Sequence, residues 1–290
     1  AATRAAPVDD LLDRARVHLE HRLRQGIVTT EIKSGYGLQT TAELNLLEVV
    51  NQLKAEGWDV EATLLAAHAV PHDQDRKTYL HQIIHDLIPK VASEGKARFV
   101  DAFVEQGAYT VDEARDVFLA GRQWGLIAKV HADQLTASGG SALAAEVEAA
   151  SADHLERITD TDMAALAQKN VVGVLLPGAL VYLGDHAPGL GRRLVDAGVE
   201  IAVATDFNPG SSPTQNLSLM ATLACTLLGL TAEESLRAVT RGAAQALRRP
   251  DIGHFDIGAK GRFIVLNASD SRALVARFGE PTVQDVVLAE

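Results

Sequence analysis

From Gly26 onward, short runs of β-branched or apolar residues alternate with longer segments in which apolar residues recur at helical spacing. Parallel strands buried on both faces read as near-continuous apolar runs, and the helices that cover them keep one polar side. On that basis strands are expected over 27–32, 61–67, 98–104, 127–131, 152–155, 171–176 and 200–205. Helices are expected between them, over 41–56, 77–94, 111–124, 141–149, 161–169, 189–198 and 215–228. The first of these should open with Thr40 or Thr41 as its N-cap and carry Glu43 or Glu48 on its polar side. An alternation of this kind either closes as a (β/α)8 barrel or stays open as a doubly wound sheet. No Gly-x-Gly-x-x-Gly follows any of these strands, which favours the barrel. Beyond about Pro250 the pattern changes: Gly253, Gly258 and Gly261 punctuate the runs 262–267 and 282–288. The chain is therefore read as a barrel over 1–248 and part of a small β domain over 249–290, which needs further strands to bury a face.

Composition narrows the class. With 290 residues, 47% hydrophobic and 22% charged, the chain has the apolar material for one large core. Its longest apolar stretches, such as 171–176, fall far short of a bilayer span, and its first residues have no basic start followed by an apolar block. Neither a membrane helix nor a signal peptide is expected, and a cytoplasmic location follows by default. The net charge of −11 comes without a basic stripe, so nucleic acid is excluded as a partner and the charge reads as solubility. Cys225 lies in an apolar helical run and reads as a small buried hydrophobe; a single cysteine excludes a disulfide framework.

The polar residues that need explaining fall where the expected strands end, the place where a barrel builds its active site. They are Lys33, Ser34 and Tyr36; His68; His131 and Asp133; His154; and Asp206 with Asn208. His131 and Asp206 are the best pair for a divalent metal, because each directly follows an apolar strand whose rigid backbone can aim it. His154 has the same placement, and serves either as an acid, base or carbonyl polariser or as a buried hydrogen-bonded histidine. His68 and Tyr36 can hydrogen-bond a polar heterocycle or its oxyanion, and Gly35 and Gly37 mark a tight loop around Tyr36. The segment Asn208, Pro209, Gly210, Ser211, Ser212 offers amides and hydroxyls, or is simply a turn. His81 and His85 are spaced to bind metal, yet Gln82 stands where a zincin requires Glu, so they read as an exposed helix face. His18 and His21, on an Arg-rich amphipathic helix, read as solvated surface. A serine hydrolase is disfavoured by the lack of a Gly-x-Ser-x-Gly elbow.

Six ordered blocks between about Ala2 and Ala246 resemble the imidazolonepropionase family: GIVTTEIKSGYGL, AAHAVPHD, HADQL followed by Gly139 and Gly140, SADHLE, LLPG and ATDFNPGSSPT. The resemblance implies a TIM-like barrel of the amidohydrolase type with part of a small β-sandwich domain. It also implies a cyclic amidohydrolase of histidine degradation, converting 4-imidazolone-5-propanoate to N-formimidoyl-L-glutamate. Block by block, His131 corresponds to a metal ligand, Asp206 to the aspartate that faces the metal and handles protons, and His154 to a catalytic histidine beside the scissile carbonyl. Tyr36, His68, Gln134, Asn208, Gly210 and Ser211 fall where the family contacts substrate; some relatives carry Glu at the position of Gln134. The implied cofactor is one zinc or iron ion, the implied partner a small-molecule substrate, and the implied assembly a homodimer, with no membrane or nucleic-acid partner.

The start of the chain departs from the family pattern. Amidohydrolases of this kind place a His-x-His at the end of a first barrel strand, with an arginine nearby suited to the substrate carboxylate. No His-x-His occurs in these residues. The chain is accordingly expected to lack the first strand and two metal ligands, to be poorly soluble in isolation, and to hold metal incompletely. Two other readings stay open at this stage: a cytosine-deaminase-like or related heterocycle hydrolase, and a non-catalytic remnant.

Overall fold

The computed structural model describes residues 2–289; residues 1 and 290, the outer ends of the two expected domains, lie outside the described residues. All seven expected strands form: β1 (Thr30–Lys33), β2 (Val60–Ala67), β3 (Phe99–Val104), β4 (Ile127–Ala132), β5 (Ser151–His154), β6 (Val172–Leu175) and β7 (Ile201–Val203). They follow one another in the sheet in chain order. That order, with a helix after each strand, is the TIM-like α/β progression expected from the sequence. β1 opens three residues later than expected because the amide of Ile27 turns back to the carbonyl of Arg22 and is lost to the ladder.

The helices largely match, with three physical differences. The helix Thr40–Ala55 is preceded by Gln39, which makes no side-chain cap, so neither threonine serves as N-cap. The expected helix over 77–94 is three contiguous pieces, Arg76–Gln82, a wide π turn Ile83–Leu87, and Ile88–Ser93. Pro89 accounts for this: it has no N–H to give to the carbonyl four residues back, and a wider turn accommodates the gap. The helices Pro177–Leu183 and Ala232–Arg237 were not anticipated. The second carried a legible start signal, since Thr231 and Glu234 form a capping box.

The chain divides into two compact units, the first made of residues up to Leu19 and Thr29–Ala152, the second of Glu20–Val28 and the residues from Asp153 onward. In the first unit β1, β2, β3 and β4 pair in parallel, with Lys33 opposite Thr63, Asp101 opposite Lys129 and Phe103 opposite His131. Leu47, Leu53, Leu64, Phe99, Leu87 and Ile88 are fully enclosed there. One face of these strands is nonetheless charged. Lys33 Nζ donates to Asp101 Oδ2 at 2.6 Å, Lys129 Nζ donates to Glu31 Oε2 at 2.9 Å, and Thr63 Oγ1 donates to Glu31. Such ions survive burial because each has an opposite partner.

In the second unit β6 and β7 pair in parallel, and Val172, Val174, Leu176, Ala179, Ala202 and Ala246 form an apolar cluster. β8 (Arg262–Leu266) and β9 (Val283–Leu288) pair antiparallel as a separate two-stranded sheet, as the glycine-punctuated runs suggested. Among the described residues, no helix is long and apolar enough to cross a membrane.

Candidate active site

At the C-terminal ends of the first unit's strands, four rings stand in a row. Tyr36 follows β1, His68 follows β2, Phe103 lies in β3 and His131 in β4. Successive ring centroids are 5.2, 6.3 and 6.2 Å apart, the Phe103 edge meeting His131 at 74°. Three of these were candidates from sequence. Phe103 was not, because only the strand register reveals that it shares a face with Asp101 and stands beside His131.

The loop carrying Tyr36 is held from beneath by a residue assigned to the polar side of its helix. Glu43 is fully buried, and its carboxylate accepts from the amides of Gly35, Gly37 and Leu38 at 2.7, 2.8 and 2.8 Å. A carboxylate gathering three backbone donors is a strong anchor. Gly35 takes φ +112°, which a side chain resists, and a Cβ at Gly37 would sit 2.8 Å from the backbone of Ala42 and Glu43. Ser34 is structural, its hydroxyl accepting from the amide of Leu65. Tyr36 itself is exposed.

His68 donates its Nδ1 proton to the carbonyl of Gly35 at 3.1 Å. Burial, and then the nearby His131, push its pKa below the ordinary histidine value, outweighing that hydrogen bond. A neutral ring with the proton on Nδ1 makes Nε2 an acceptor. Two enclosed phenols brace the flanking backbone, Tyr79 donating to the carbonyl of Ala66 and Tyr109 to that of Ala69.

His131 lies 3.1 Å through Nδ1 from the carboxylate of Asp101, which has no solvent exposure. Burial works against the charge on Asp101, but His131 and Lys33 hold its carboxyl well below the usual range. Asp133, grouped with the strand-end candidates, instead starts the next helix: its side chain accepts from the amides of Gly139 and Ser141 and from the Ser138 hydroxyl. Gln134 is half-buried, on a loop gripped by Glu105. That carboxylate accepts from the Leu135 and Thr136 amides and from the Thr136 hydroxyl. Burial opposes these donors, yet they lower the Glu105 pKa.

In the second unit His154 is the last residue of β5, buried, with φ +83°, and Leu155 follows at φ +74°. Two consecutive left-handed non-glycine residues cost free energy, and such strain gathers at functional turns. Asp206, at φ +46°, accepts from the Ser211 hydroxyl at 2.9 Å, which joins a substrate candidate to the proposed proton carrier. Asn208 accepts from the Gly210 amide and pairs through its backbone with Ser212, whose hydroxyl donates to the Thr205 carbonyl. The segment is thus a tight turn that aims Ser211. His81 and His85 are exposed, as are His18 and His21. Cys225 is half-buried, burial raising its thiol pKa.

Within the first unit, His131 offers an imidazole of the kind a metal takes, backed by the Asp101 carboxylate. The donor chemistry fits a divalent ion: an imidazole whose Nδ1 is engaged by a carboxylate turns its other nitrogen outward as a ligand. In Asp206 the Oδ2 side is engaged by Ser211.

Residues 102–289 match the model of the Amidohydrolase family. The chain is 46% identical over 269 residues to the imidazolonepropionase of Anaeromyxobacter dehalogenans strain 2CP-1, covering 91% of this chain and 64% of the relative. It is 43% identical over 291 residues to that of Myxococcus xanthus, covering 99% of this chain and 69% of the relative. It therefore spans roughly two thirds of these relatives' length. Among solved structures, a 5-methylcytosine deaminase from Klebsiella pneumoniae superposes with a TM-score of 0.79 at 16% identity, over 99% of this chain and 75% of that one. An adenosine deaminase from Xanthomonas campestris with bound zinc gives 0.73 at 16% identity, over 98% and 70%. These two speak for the fold. The extent of the family match and the identity to the Myxococcus relative establish that the chain belongs to the imidazolonepropionase family of the amidohydrolases.

Proposed function

We propose that this chain carries the greater part of an enzyme that hydrolyses 4-imidazolone-5-propanoate to N-formimidoyl-L-glutamate, a metal-dependent cyclic amidohydrolase of histidine degradation. The observation that carries the reading is identity of 43% across 99% of the chain to an imidazolonepropionase, with the matching blocks falling on strand ends. His131 and Asp206 are the proposed ligands of one zinc or iron ion, alongside ligands that the relatives' additional length would supply. A bound ion of this kind supplies a water of lowered pKa near neutrality.

Asp206 takes a proton from the attacking water as its oxygen adds to the ring carbonyl carbon. His154 polarises that carbonyl and stabilises the oxyanion. The ring C–N bond then breaks, and Asp206 returns the proton to the departing nitrogen, so water is consumed and no other group is lost. Tyr36, His68, Gln134, Asn208, Gly210 and Ser211 are the proposed substrate contacts. With Gln rather than Glu at 134, that position hydrogen-bonds the ring without acting as a base. A cytoplasmic homodimer belongs to the same proposal.

The test joins this chain to the N-terminal segment of the Myxococcus relative and assays imidazolone consumption beside ammonia release from cytosine and adenosine. Imidazolone consumption alone is the expected result. Ammonia release without imidazolone turnover would support a deaminase instead, and a folded, metal-free, inactive protein would support a non-catalytic remnant.

A further inference from the structure

We infer that Asp101 is a positioning residue for His131: its carboxylate holds the imidazole proton on Nδ1 and so presents Nε2 as the lone-pair nitrogen at the end of β4. The benefit to a metal rests on the function proposed above; the geometry of the pair does not. β3 and β4 are in parallel register with Asp101 opposite Lys129 and Phe103 opposite His131, so the aspartate and histidine stand diagonally on one face. Their 3.1 Å separation is within N–H···O reach. An ionised carboxylate only accepts hydrogen bonds, so this contact selects the Nδ1–H tautomer and rejects the other.

Two neighbours convert the contact into a fixed geometry. Phe103 meets the His131 ring edge-on at 6.2 Å, limiting its rotation. Lys33 Nζ binds Asp101 Oδ2 at 2.6 Å, and lies 3.5 Å from Glu31, which itself receives Lys129. Lys33 thereby pins the carboxylate that faces the His131 ring. With an ammonium this close, Asp101 is also a poor direct ligand for a second cation, which separates its role from that of His131. The sequence alone concealed this, because Asp101 lies inside an apolar run and 30 residues before its partner.

The test is long-range proton–nitrogen correlation NMR of the histidine-labelled, metal-free chain at alkaline pH, with the His131 signals identified by their loss in His131→Gln. The expected wild-type pattern has a protonated-type Nδ1 and an unprotonated-type Nε2. In Asp101→Ala the pattern should invert or average between the two forms. A proton on Nε2 in the wild-type chain overturns the inference, as does an Asp101→Ala spectrum identical to wild type; a purely structural aspartate would lower stability and leave the pattern alone. Should Asp101→Ala fail to fold, the wild-type spectrum still decides. In the completed enzyme, Asp101→Asn should weaken zinc retention by about 10- to 100-fold. Loss of imidazolone turnover with the wild-type pattern intact would refute the proposed function and leave this inference standing.

Discussion

Replacing Glu43 probes the platform under the substrate face without touching a reacting group. Its two oxygens take three backbone amides, Gly35 on one and Gly37 and Leu38 on the other, in a site closed to water. Glu43→Gln keeps the volume and one acceptor oxygen. That oxygen can satisfy two amides, while the new NH2 group confronts the third donor. An unsatisfied buried donor costs about 1–3 kcal/mol, and two hydrogen bonds that lose their charge assistance weaken by about 1 kcal/mol each. The expected destabilisation is therefore about 3–5 kcal/mol, and Glu43→Ala, which orphans all three donors, should cost more than that. Such a loss is a large share of the stability of an ordinary domain. Urea unfolding measures the total, and amide exchange at Gly35, Gly37 and Leu38 localises it. A Glu43→Gln midpoint equal to wild type, with these amides still protected, would refute the reasoning.

Three further predictions test other parts of the fold. His68 has its folded pKa below the ordinary 6.5, so the unfolded chain binds more protons as pH falls; the stability this group contributes is present above 6.5 and lost as pH falls through the folded value. His68→Gln should accordingly flatten the dependence of Tm on pH below that point, and an unchanged slope counts against the assignment. Asp133→Ala removes the acceptor at the start of the helix Gly140–Glu146 and should cost about 1–2 kcal/mol in urea unfolding; no loss would mean the cap is dispensable. In the second unit, Gly242→Ala would bring a Cβ to 2.0 Å from the carbonyl oxygen of Ile201, which side-chain adjustment cannot relieve. It should lower stability by about 3 kcal/mol or more, whereas a wild-type midpoint would show that the helix stands further from β7.

The strand-helix alternation was legible because parallel strands and covering helices differ in period and length, and all seven strands were placed within a few residues. Element ends were less legible where hydrogen bonding rather than hydropathy decides them, as when Ile27 bonds back to Arg22. The strand-end histidines were found because they are polar residues abutting apolar runs. Glu43 and Asp101 were missed for complementary reasons. Glu43 looks like an ordinary exposed helix residue until the preceding loop folds back over it, and Asp101 looks like an interruption in a hydrophobic strand until register brings Lys33 and His131 to it. Both depend on contacts between distant segments, which periodicity does not encode. Asp133 is the reverse case, a strand-end carboxylate whose acceptors are occupied by its own helix start.

The proposed metal-assisted hydrolysis, with Asp206 as proton carrier, is tested most directly by steady-state turnover of 4-imidazolone-5-propanoate. The enzyme is the chain completed with the N-terminal segment of the Myxococcus relative, compared with its Asp206→Ala variant, circular dichroism confirming that both are folded. The completed enzyme should turn the substrate over, and kcat should fall by about 1,000-fold or more in the variant, the scale expected for loss of a proton-transfer group that also binds metal. Near-normal kcat in a folded Asp206→Ala enzyme would contradict it.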